Sequence, residues 1–288
     1  MAIQRLGIVG SGIMGSGIAE VAAKAGVTVL LRSRKQESAD AMVAALGKSL
    51  AKQVERGKLD EAEAAAVSGR VSATADLEAL ADCDLVLESI VEDLETKKQL
   101  FTELDRIVKA GAILATNTST LPVIEMAVDT GRPERVCGIH FFNPATAMSL
   151  VEIVRTLVSS DETVTEARAF VEACGKVPVV VEDRAGFIVN ALLFPYLNNA
   201  VRMLENRIAS RDDIDAAMQG GCNFPMGPLA LLDLVGLDTS VAILDALYAE
   251  FRDPNYAAVP LLRRMVAAGH LGRKSGRGFY DYGDSGRG

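Results

Sequence analysis

Gly10-Ser11-Gly12-Ile13-Met14-Gly15 is the stretch that decides the fold of this 288-residue chain. The apolar run from Ile3 to Val9 predicts a buried strand before it, and the small residues Ser16 to Ala25 favour a helix after it. The first glycine permits a tight turn, the second lets a ligand approach backbone N–H groups, and the third allows close packing of helix on strand. A strand, this loop and a helix in that order are typical of a dinucleotide pyrophosphate site. The alternative is a glycine-rich turn without a ligand.

The order of predicted elements indicates two domains. Strand and helix patterns alternate as far as the strand predicted over Val177 to Val181, and only helical patterns follow, among them one over Pro228 to Phe251 with a break near Gly236. The sequence therefore predicts an α/β fold with a Rossmann-like NAD(P)-binding domain over residues 1–184 and a smaller all-α domain over residues 185–288. About one hundred helical residues bury too little surface alone, so we expect a homodimer in which the helical domain contributes to dimerisation.

Composition excludes several classes of protein. A net charge of -8, no Trp and 5% aromatic residues disfavour a nucleic-acid binder. No apolar run is long enough for a membrane span, and the N-terminal residues lack the pattern of a signal peptide. The chain has four cysteines: Cys83, Cys137, Cys174 and Cys222. They are far apart and have no metal-binding spacing, so we expect buried free thiols, no metal and a cytoplasmic location.

The end of the second predicted strand, Val27 to Leu31, concerns the choice between the two nicotinamide cofactors. An acidic residue there would bind the adenosine ribose of NAD, but this chain has Arg32, Ser33 and Arg34, followed by Lys35. Cations around a hydroxyl suit a 2′-phosphate, which favours NADP(H), with NAD(H) as the alternative. A solvated basic turn is the other interpretation.

Two ionisable residues stand out in later apolar runs. His140, one of only two histidines, follows Arg135 to Ile139 and precedes an Asn-Pro turn, and a neutral imidazole there can take a proton at pH 7. Glu152 is the one charged residue in the strand predicted over Leu150 to Val154, where a carboxylate needs a partner. A His140/Glu152 dyad is one hypothesis. A structural histidine, or a pair between Glu152 and Arg155 or a helix terminus, is the alternative.

Eight motifs, in order along nearly the whole chain, resemble the 3-hydroxyacyl-CoA dehydrogenases, and among them the short bacterial 3-hydroxybutyryl-CoA dehydrogenases. They are Gly10 to Gly15, Glu88 to Glu92, Asn117 to Ser119, Gly138 to Pro144, Val151 to Ile153, Asp183 to Asn190, Phe224 to Pro228 and Gly272 to Tyr280. The chain departs from the family at Ser33, where an acidic residue is usual, and this departure supports the NADP(H) hypothesis. His270 lies where the family varies and is expected to be structural or exposed.

The resemblance implies roles for the matching residues. His140 resembles the catalytic base and Glu152 its partner, while Ser119 and Asn190 resemble the residues that hold the substrate oxygen at C3. The expected cofactor contacts are Gly10, Ser11, Gly12, Ile13, Met14, Gly15, Arg32, Ser33, Arg34, Glu92, Lys97 and Asn117. The expected substrate contacts are Ser49, Lys52, Arg56, Ser119, Asn143 and Asn190. The basic face formed by Lys48, Lys52 and Arg56 is, without the resemblance, an ordinary solvated surface.

The resemblance implies interconversion of 3-oxoacyl-CoA and (S)-3-hydroxyacyl-CoA, with acetoacetyl-CoA and 3-hydroxybutyryl-CoA as the expected pair. One alternative keeps the fold but changes the thioester carrier to an acyl-carrier protein. Another is a non-catalytic dinucleotide-binding protein that has kept the scaffold, although the presence together of His140, Glu152, Ser119 and Asn190 speaks against it.

Overall fold

The structure is a computed structural model that describes residues 3–283. Its chain divides into two units between Asp183 and Arg184, one residue before the predicted boundary. Within the described residues, the first unit contains an eight-stranded sheet formed by β1 (Arg5–Val9), β2 (Thr28–Arg32), β3 (Val71–Thr74), β4 (Leu85–Glu88), β5 (Ile113–Thr116), β6 (Val136–Phe141), β7 (Leu150–Arg155) and β8 (Val177–Glu182). The helices of this unit are α1 (Ile13–Lys24), α2 (Gln36–Glu55), α3 (Glu61–Gly69), α4 (Leu94–Ile107), α5 (Val123–Ala127) and α6 (Asp161–Ala173).

The sheet has the strand order β3-β2-β1-β4-β5-β6-β7-β8. Neighbouring strands are parallel except β6 and β7, which are antiparallel. The chain passes from β2 and β3 on one side of β1 to β4 and β5 on the other, so the order reverses beside β1. Open parallel sheets bind ligands beyond the carboxyl ends of the strands at such a reversal. The predicted α/β fold with a dinucleotide-binding sheet is confirmed.

Burial explains why the first strand lies at the centre of this sheet. Leu6 and Ile8 are fully buried and Val9 nearly so, because helices cover both faces of a parallel sheet. Side chains cap several of the helices: Asp93 accepts a hydrogen bond from the Thr96 N–H at the start of α4. The short helix α5 has no strong pattern in the sequence and was not predicted.

The second unit is helical, as predicted, and its described helices are α7 (Val189–Glu205), α8 (Arg211–Cys222), α9 (Pro228–Val235), α10 (Leu237–Phe251) and α11 (Pro260–Ala267). Gly236 separates α9 from α10 at φ +101°, a backbone conformation that favours glycine, where the sequence predicted a break. Buried Asp233 in α9 accepts hydrogen bonds from the Phe279 and Tyr280 N–H groups, both at 2.8 Å, and from the Tyr282 hydroxyl at 3.0 Å. This carboxylate therefore ties the last described segment to the helices.

The environments of the cysteines correct one prediction. Cys83 and Cys137 are buried free thiols, and burial raises the pKa of Cys137 to about 12. Cys174 is half-buried, and Cys222 is exposed at the end of α8. The expectation that all four are buried was wrong for Cys222, since the last turn of α8 is exposed on every side, and it was met only in part for Cys174. No helix of the described residues 3–283 is long and apolar enough to cross a membrane.

Candidate active site

The glycine loop between β1 and α1 has room for a ligand. Gly10 has φ +136°, and a Cβ there would lie 2.2 Å from the Ser89 carbonyl oxygen. A Cβ at Gly15 would lie 2.9 Å from the Gly10 oxygen and 2.9 Å from Met42 Cε, so this glycine allows close packing. Gly12 precedes α1 without a side-chain cap, and nothing lies within 4 Å of the position a Cβ would take. The loop thus leaves N–H groups of α1 open to an anion, which fits a dinucleotide pyrophosphate.

A cavity of about 570 Å³ opens beside this loop at the carboxyl ends of the strands. This volume is in the range of small-molecule sites. Four segments of the first unit form its walls: the glycine loop, the turn after β2, the segment after β4 and one face of α4. The lining residues are Val9, Gly10, Ser11, Gly12, Arg32, Ser33, Arg34, Ser89, Ile90, Val91, Thr96, Gln99, Leu100 and Glu103.

The basic turn after β2 is part of this cavity wall. Arg32, Ser33 and Arg34 all line the cavity, and the Ser33 side chain is largely buried. The Arg32 Nε is buried and has no hydrogen-bond partner in the described part of the chain. Burial lowers the pKa of the Arg32 guanidinium, and the negative charge of Glu103 opposes this shift. An unsatisfied guanidinium nitrogen beside a cavity fits an anionic ligand group.

The strand pair β6 and β7 places His140 opposite Glu152. These residues are direct partners in the antiparallel register, and the His140 Nδ1 lies 2.8 Å from the Glu152 Oε2. Both side chains are buried, and the imidazole packs against the Phe142 ring with centroids 4.5 Å apart. The His140 Nε2 lies 3.0 Å from the Ser119 hydroxyl oxygen. Because a carboxylate accepts the Nδ1–H, the other nitrogen can act as a base toward an oxygen near Ser119.

An ionic network around the buried Lys97 ammonium, with the exposed Glu92 at its edge, positions the loop that carries Ser119. The Lys97 ammonium lies 2.6 Å from the Glu88 Oε1 and 3.2 Å from the Glu92 Oε2, and its side chain is 1% exposed. Glu92 in turn accepts hydrogen bonds from the Ser119 N–H at 3.1 Å and from the Thr118 hydroxyl. Two carboxylates thus enclose the Lys97 ammonium, as burial of a cation requires. A direct contact between Lys97 and a cofactor stays a prediction.

The three predicted asparagines lie in different surroundings. The Asn117 Oδ1 accepts a hydrogen bond from the Phe141 N–H at 2.8 Å, which joins the ends of β5 and β6. Asn143 is exposed in the loop after β6. Asn190 is the second residue of α7 in the second unit, and its side chain is buried.

The predicted substrate contacts on α2 differ in their surroundings. The Ser49 hydroxyl donates to the Glu20 carboxylate of α1 at 2.7 Å, and Lys24 and Gln53 also donate to that carboxylate, each at 2.7 Å. Burial would raise the pKa of Glu20, but these hydrogen bonds outweigh it and lower the pKa below 4.5. The Ser49 hydroxyl therefore donates its hydrogen bond within the first unit. Lys52, near the end of α2, and Arg56, the residue after the end of the helix, are exposed.

One wall of the cavity was missed from the sequence. Thr96, Gln99, Leu100 and Glu103 of α4 all line it, although no cofactor role was predicted for any of them. Their spacing of three to four residues places them on one face of the helix, and α4 follows β4 directly. A helix that begins beyond the carboxyl end of a central strand was the signal that could have indicated this face.

Comparison with known proteins agrees with this geometry. The model of the 3-hydroxyacyl-CoA dehydrogenase NAD-binding domain matches residues 5–184, which makes the cofactor a nicotinamide dinucleotide. The model of the C-terminal domain of 3-hydroxyacyl-CoA dehydrogenase matches residues 186–282.

Individual relatives match over nearly their whole length. The 3-hydroxybutyryl-CoA dehydrogenase of Mycobacterium tuberculosis is 49% identical, with 98% of this chain and 99% of the relative covered. The 3-hydroxybutyryl-CoA dehydrogenase of Clostridioides difficile is 46% identical, with 96% and 99% covered. The crystal structure of (S)-3-hydroxybutyryl-CoA dehydrogenase from Ralstonia eutropha has a TM-score of 0.96 at 40% identity, with 98% and 100% covered. This chain belongs to the 3-hydroxyacyl-CoA dehydrogenase family.

Proposed function

We propose that this chain interconverts acetoacetyl-CoA and (S)-3-hydroxybutyryl-CoA, with His140 as the general base and NADP(H) as the preferred cofactor. Relatives that carry the name 3-hydroxybutyryl-CoA dehydrogenase support the substrate, because the similarity covers both domains. The observation that carries the mechanism is the position of the His140 imidazole, 2.8 Å from Glu152 on one side and 3.0 Å from Ser119 on the other.

The chemistry assigned to the chain is acid–base catalysis and orientation. When bound, a nicotinamide cofactor would supply hydride transfer to or from C3 of the acyl chain, and the glycine loop from Gly10 to Gly15 would hold it. His140 takes the hydroxyl proton from the 3-hydroxyacyl substrate at its Nε2 in oxidation and returns it in reduction. Glu152 stabilises the protonated imidazole, since a buried carboxylate favours the charged form of its partner. The Ser119 hydroxyl orients the substrate oxygen, and the Glu92 carboxylate holds the Ser119 N–H in place.

The remaining roles rest on the family motifs. Asn190 is proposed to bind the substrate oxygen, and Asn143 to contact the substrate. Ser49, Lys52 and Arg56 are proposed to contact the CoA moiety. The homodimer is proposed on the small size of the helical domain together with this resemblance, and the cytoplasmic location on the four widely separated cysteines.

Replacement of His140 by Ala tests the proposed base. We expect a loss of about 10²- to 10⁴-fold in kcat for acetoacetyl-CoA reduction, the usual contribution of general acid–base catalysis. His270→Ala is the matched control, because His270 is the only other histidine in the chain and does not line the cavity. Turnover of His140→Ala within a few-fold of the wild type would remove the role of His140.

The cofactor preference is tested by comparing kcat/KM for NADPH and NADH with acetoacetyl-CoA. The support for NADP(H) is the pair Arg32 and Arg34 at the cavity wall, together with Ser33 where an acidic residue would bind a ribose hydroxyl. In Ser33→Asp, a carboxylate repels the 2′-phosphate, so the ratio should move toward NADH by about tenfold or more. A clear NADH preference of the wild type would contradict the proposal.

A further inference from the structure

The cavity wall that would face the adenosine end of the cofactor contains opposing charges. Among its described lining residues three are charged: Arg32 and Arg34 in the turn after β2, and Glu103 in α4. The wall therefore carries two positive charges and one negative charge at neutral pH. Glu103 lies on α4, which is part of neither the glycine loop nor the basic turn. Glu103 is exposed and supports no described hydrogen bond of α4, so its carboxylate is free to act on a ligand in the cavity.

The carboxylate of Glu103 attracts the Arg32 guanidinium but forms no ion pair with it. Its charge favours the charged form of the Arg32 guanidinium, whereas that of Arg34 opposes it; Asp76, which does not line the cavity, has a smaller favourable effect. No ion pair within 4.0 Å joins Arg32 to Glu103 among residues 3–283. The Arg32 Nε also has no hydrogen-bond partner within that range. The attraction therefore acts without an ion pair, and the Arg32 Nε is left available to a ligand.

We propose that Glu103 is a specificity-determining residue that weakens the binding of 2′-phosphorylated adenosine relative to adenosine with a free 2′-hydroxyl. This inference deepens the proposed cofactor preference and rests on the proposal that the basic turn receives the adenosine ribose. A 2′-phosphate carries about -1.5 to -2 charges, whereas a hydroxyl carries none, so repulsion by Glu103 acts only on the phosphorylated ligand. Arg32 and Arg34 attract the same phosphate. The chain consequently discriminates less between the two cofactors than its two arginines alone would.

The expected size of the effect follows from Coulomb's law. For a carboxylate and a phosphate roughly 8 to 10 Å apart, about one Debye length at physiological salt, an effective dielectric constant of about 20 to 40 gives a screened repulsion that changes the affinity by roughly two- to tenfold. An effect of this size is measurable by calorimetry and decreases as the salt concentration rises.

Calorimetric titration with adenosine 2′,5′-bisphosphate and with 5′-AMP tests the inference, because these probes differ only in the 2′-phosphate. In Glu103→Gln, the Kd for the bisphosphate should fall by roughly two- to tenfold, while the Kd for 5′-AMP changes by less than about twofold. Glu95→Gln is the matched control, since Glu95 lies on the same helix, is exposed and does not line the cavity. It should leave both values unchanged.

Each other outcome overturns the inference. An unchanged or raised Kd for the bisphosphate in Glu103→Gln would show that Glu103 is neutral or that it orders Arg32 for binding. Weaker binding of 5′-AMP alone would show that Glu103 instead receives a ribose hydroxyl or the adenine. Absence of binding of both probes to the wild type would show that the cavity is not an adenosine site.

The experiment separates this inference from the proposed function. Neither probe contains a nicotinamide, so binding does not depend on turnover of any thioester. A wild type that binds both probes equally well would contradict the NADP(H) preference but would leave the role of Glu103 intact, because that role is read from the change between variant and wild type. A protein that binds the probes but reduces no acetoacetyl-CoA would contradict the proposed activity alone.

Discussion

Replacing Glu152 by Gln tests whether the negative charge behind the imidazole drives the chemistry. The amide keeps an oxygen that can accept the His140 Nδ1–H, so the 2.8 Å contact can persist while the charge is lost. Hydrogen bonds to charged groups contribute about 1.5 to 3 kcal/mol. The bond to the carboxylate strengthens to an ion pair as His140 takes the proton, and in Glu152→Gln a gain of this order is lost from the transition state of oxidation. The expected result is a decrease of about 10- to 150-fold in kcat for 3-hydroxybutyryl-CoA oxidation.

The assay is steady-state oxidation followed by nucleotide absorbance between about pH 6 and pH 9. A merely structural role for Glu152 would lower the rate equally at every pH. A role for the charge makes a second prediction: in Glu152→Gln the shape of the pH–rate profile changes as well as the rate, because the charge acts on the proton-transfer step.

The matched control for this experiment is Glu182→Gln. Glu182 is the exposed last residue of β8 and pairs with the end of β7, so the same change of charge occurs in the same sheet but away from His140. Its kcat and pH profile should equal those of the wild type. Rates of Glu152→Gln within twofold of the wild type, with an unchanged profile, would refute the role of the Glu152 charge.

The remaining predictions concern stability. Gly138→Ala should lower the free energy of unfolding by about 1 to 3 kcal/mol in denaturant titrations, because its Cβ would lie 2.7 Å from the Val154 Cβ. Gly47→Ala, where nothing lies within 4 Å of the added Cβ, should raise the same free energy by about 0.5 to 1 kcal/mol. The lowered pKa of Glu20 means that its carboxylate adds stability above pH 4.5 that is lost as the pH falls below 4.5. Glu20→Gln should therefore lower stability at pH 7 by about 1 to 3 kcal/mol and flatten the acid limb of the stability profile. Asp233→Asn should lower the Tm, because one amide oxygen cannot accept all three hydrogen bonds that the carboxylate receives.

Each stability prediction has a result that would contradict it. Equal effects of the two glycine substitutions would show that β6 and β7 accommodate the added Cβ at position 138 without loss of stability. Glu55→Gln, an exposed change on α2, is the control for Glu20, and identical acid limbs in the two variants would remove the contribution of Glu20. Asp281→Asn, an exposed change in the last described segment, is the control for Asp233, and an equal Tm in the two variants would show that Asp233 does not anchor this segment.

Much of the fold could be predicted because its signals are local. The glycine loop requires particular backbone angles and a close approach at Gly10 and Gly15, and such requirements can be read from residue type alone. The same holds for the change from alternating patterns to helical ones, and for Gly236 between α9 and α10. Elements with weak local signals were missed, as α5 shows, since it has five residues and no side-chain cap.

The positions of the site residues depended on contacts distant in sequence. The chain by itself determined the class of cofactor and the presence of an unusual histidine, carboxylate and basic turn, because these are properties of residue type and spacing. Only the tertiary structure decided that the antiparallel register sets His140 opposite Glu152, and that two carboxylates enclose the Lys97 ammonium. It also decided that α4 turns Glu103 toward the cavity. Strand register and helix rotation follow from packing of the whole sheet, which no short stretch of sequence contains.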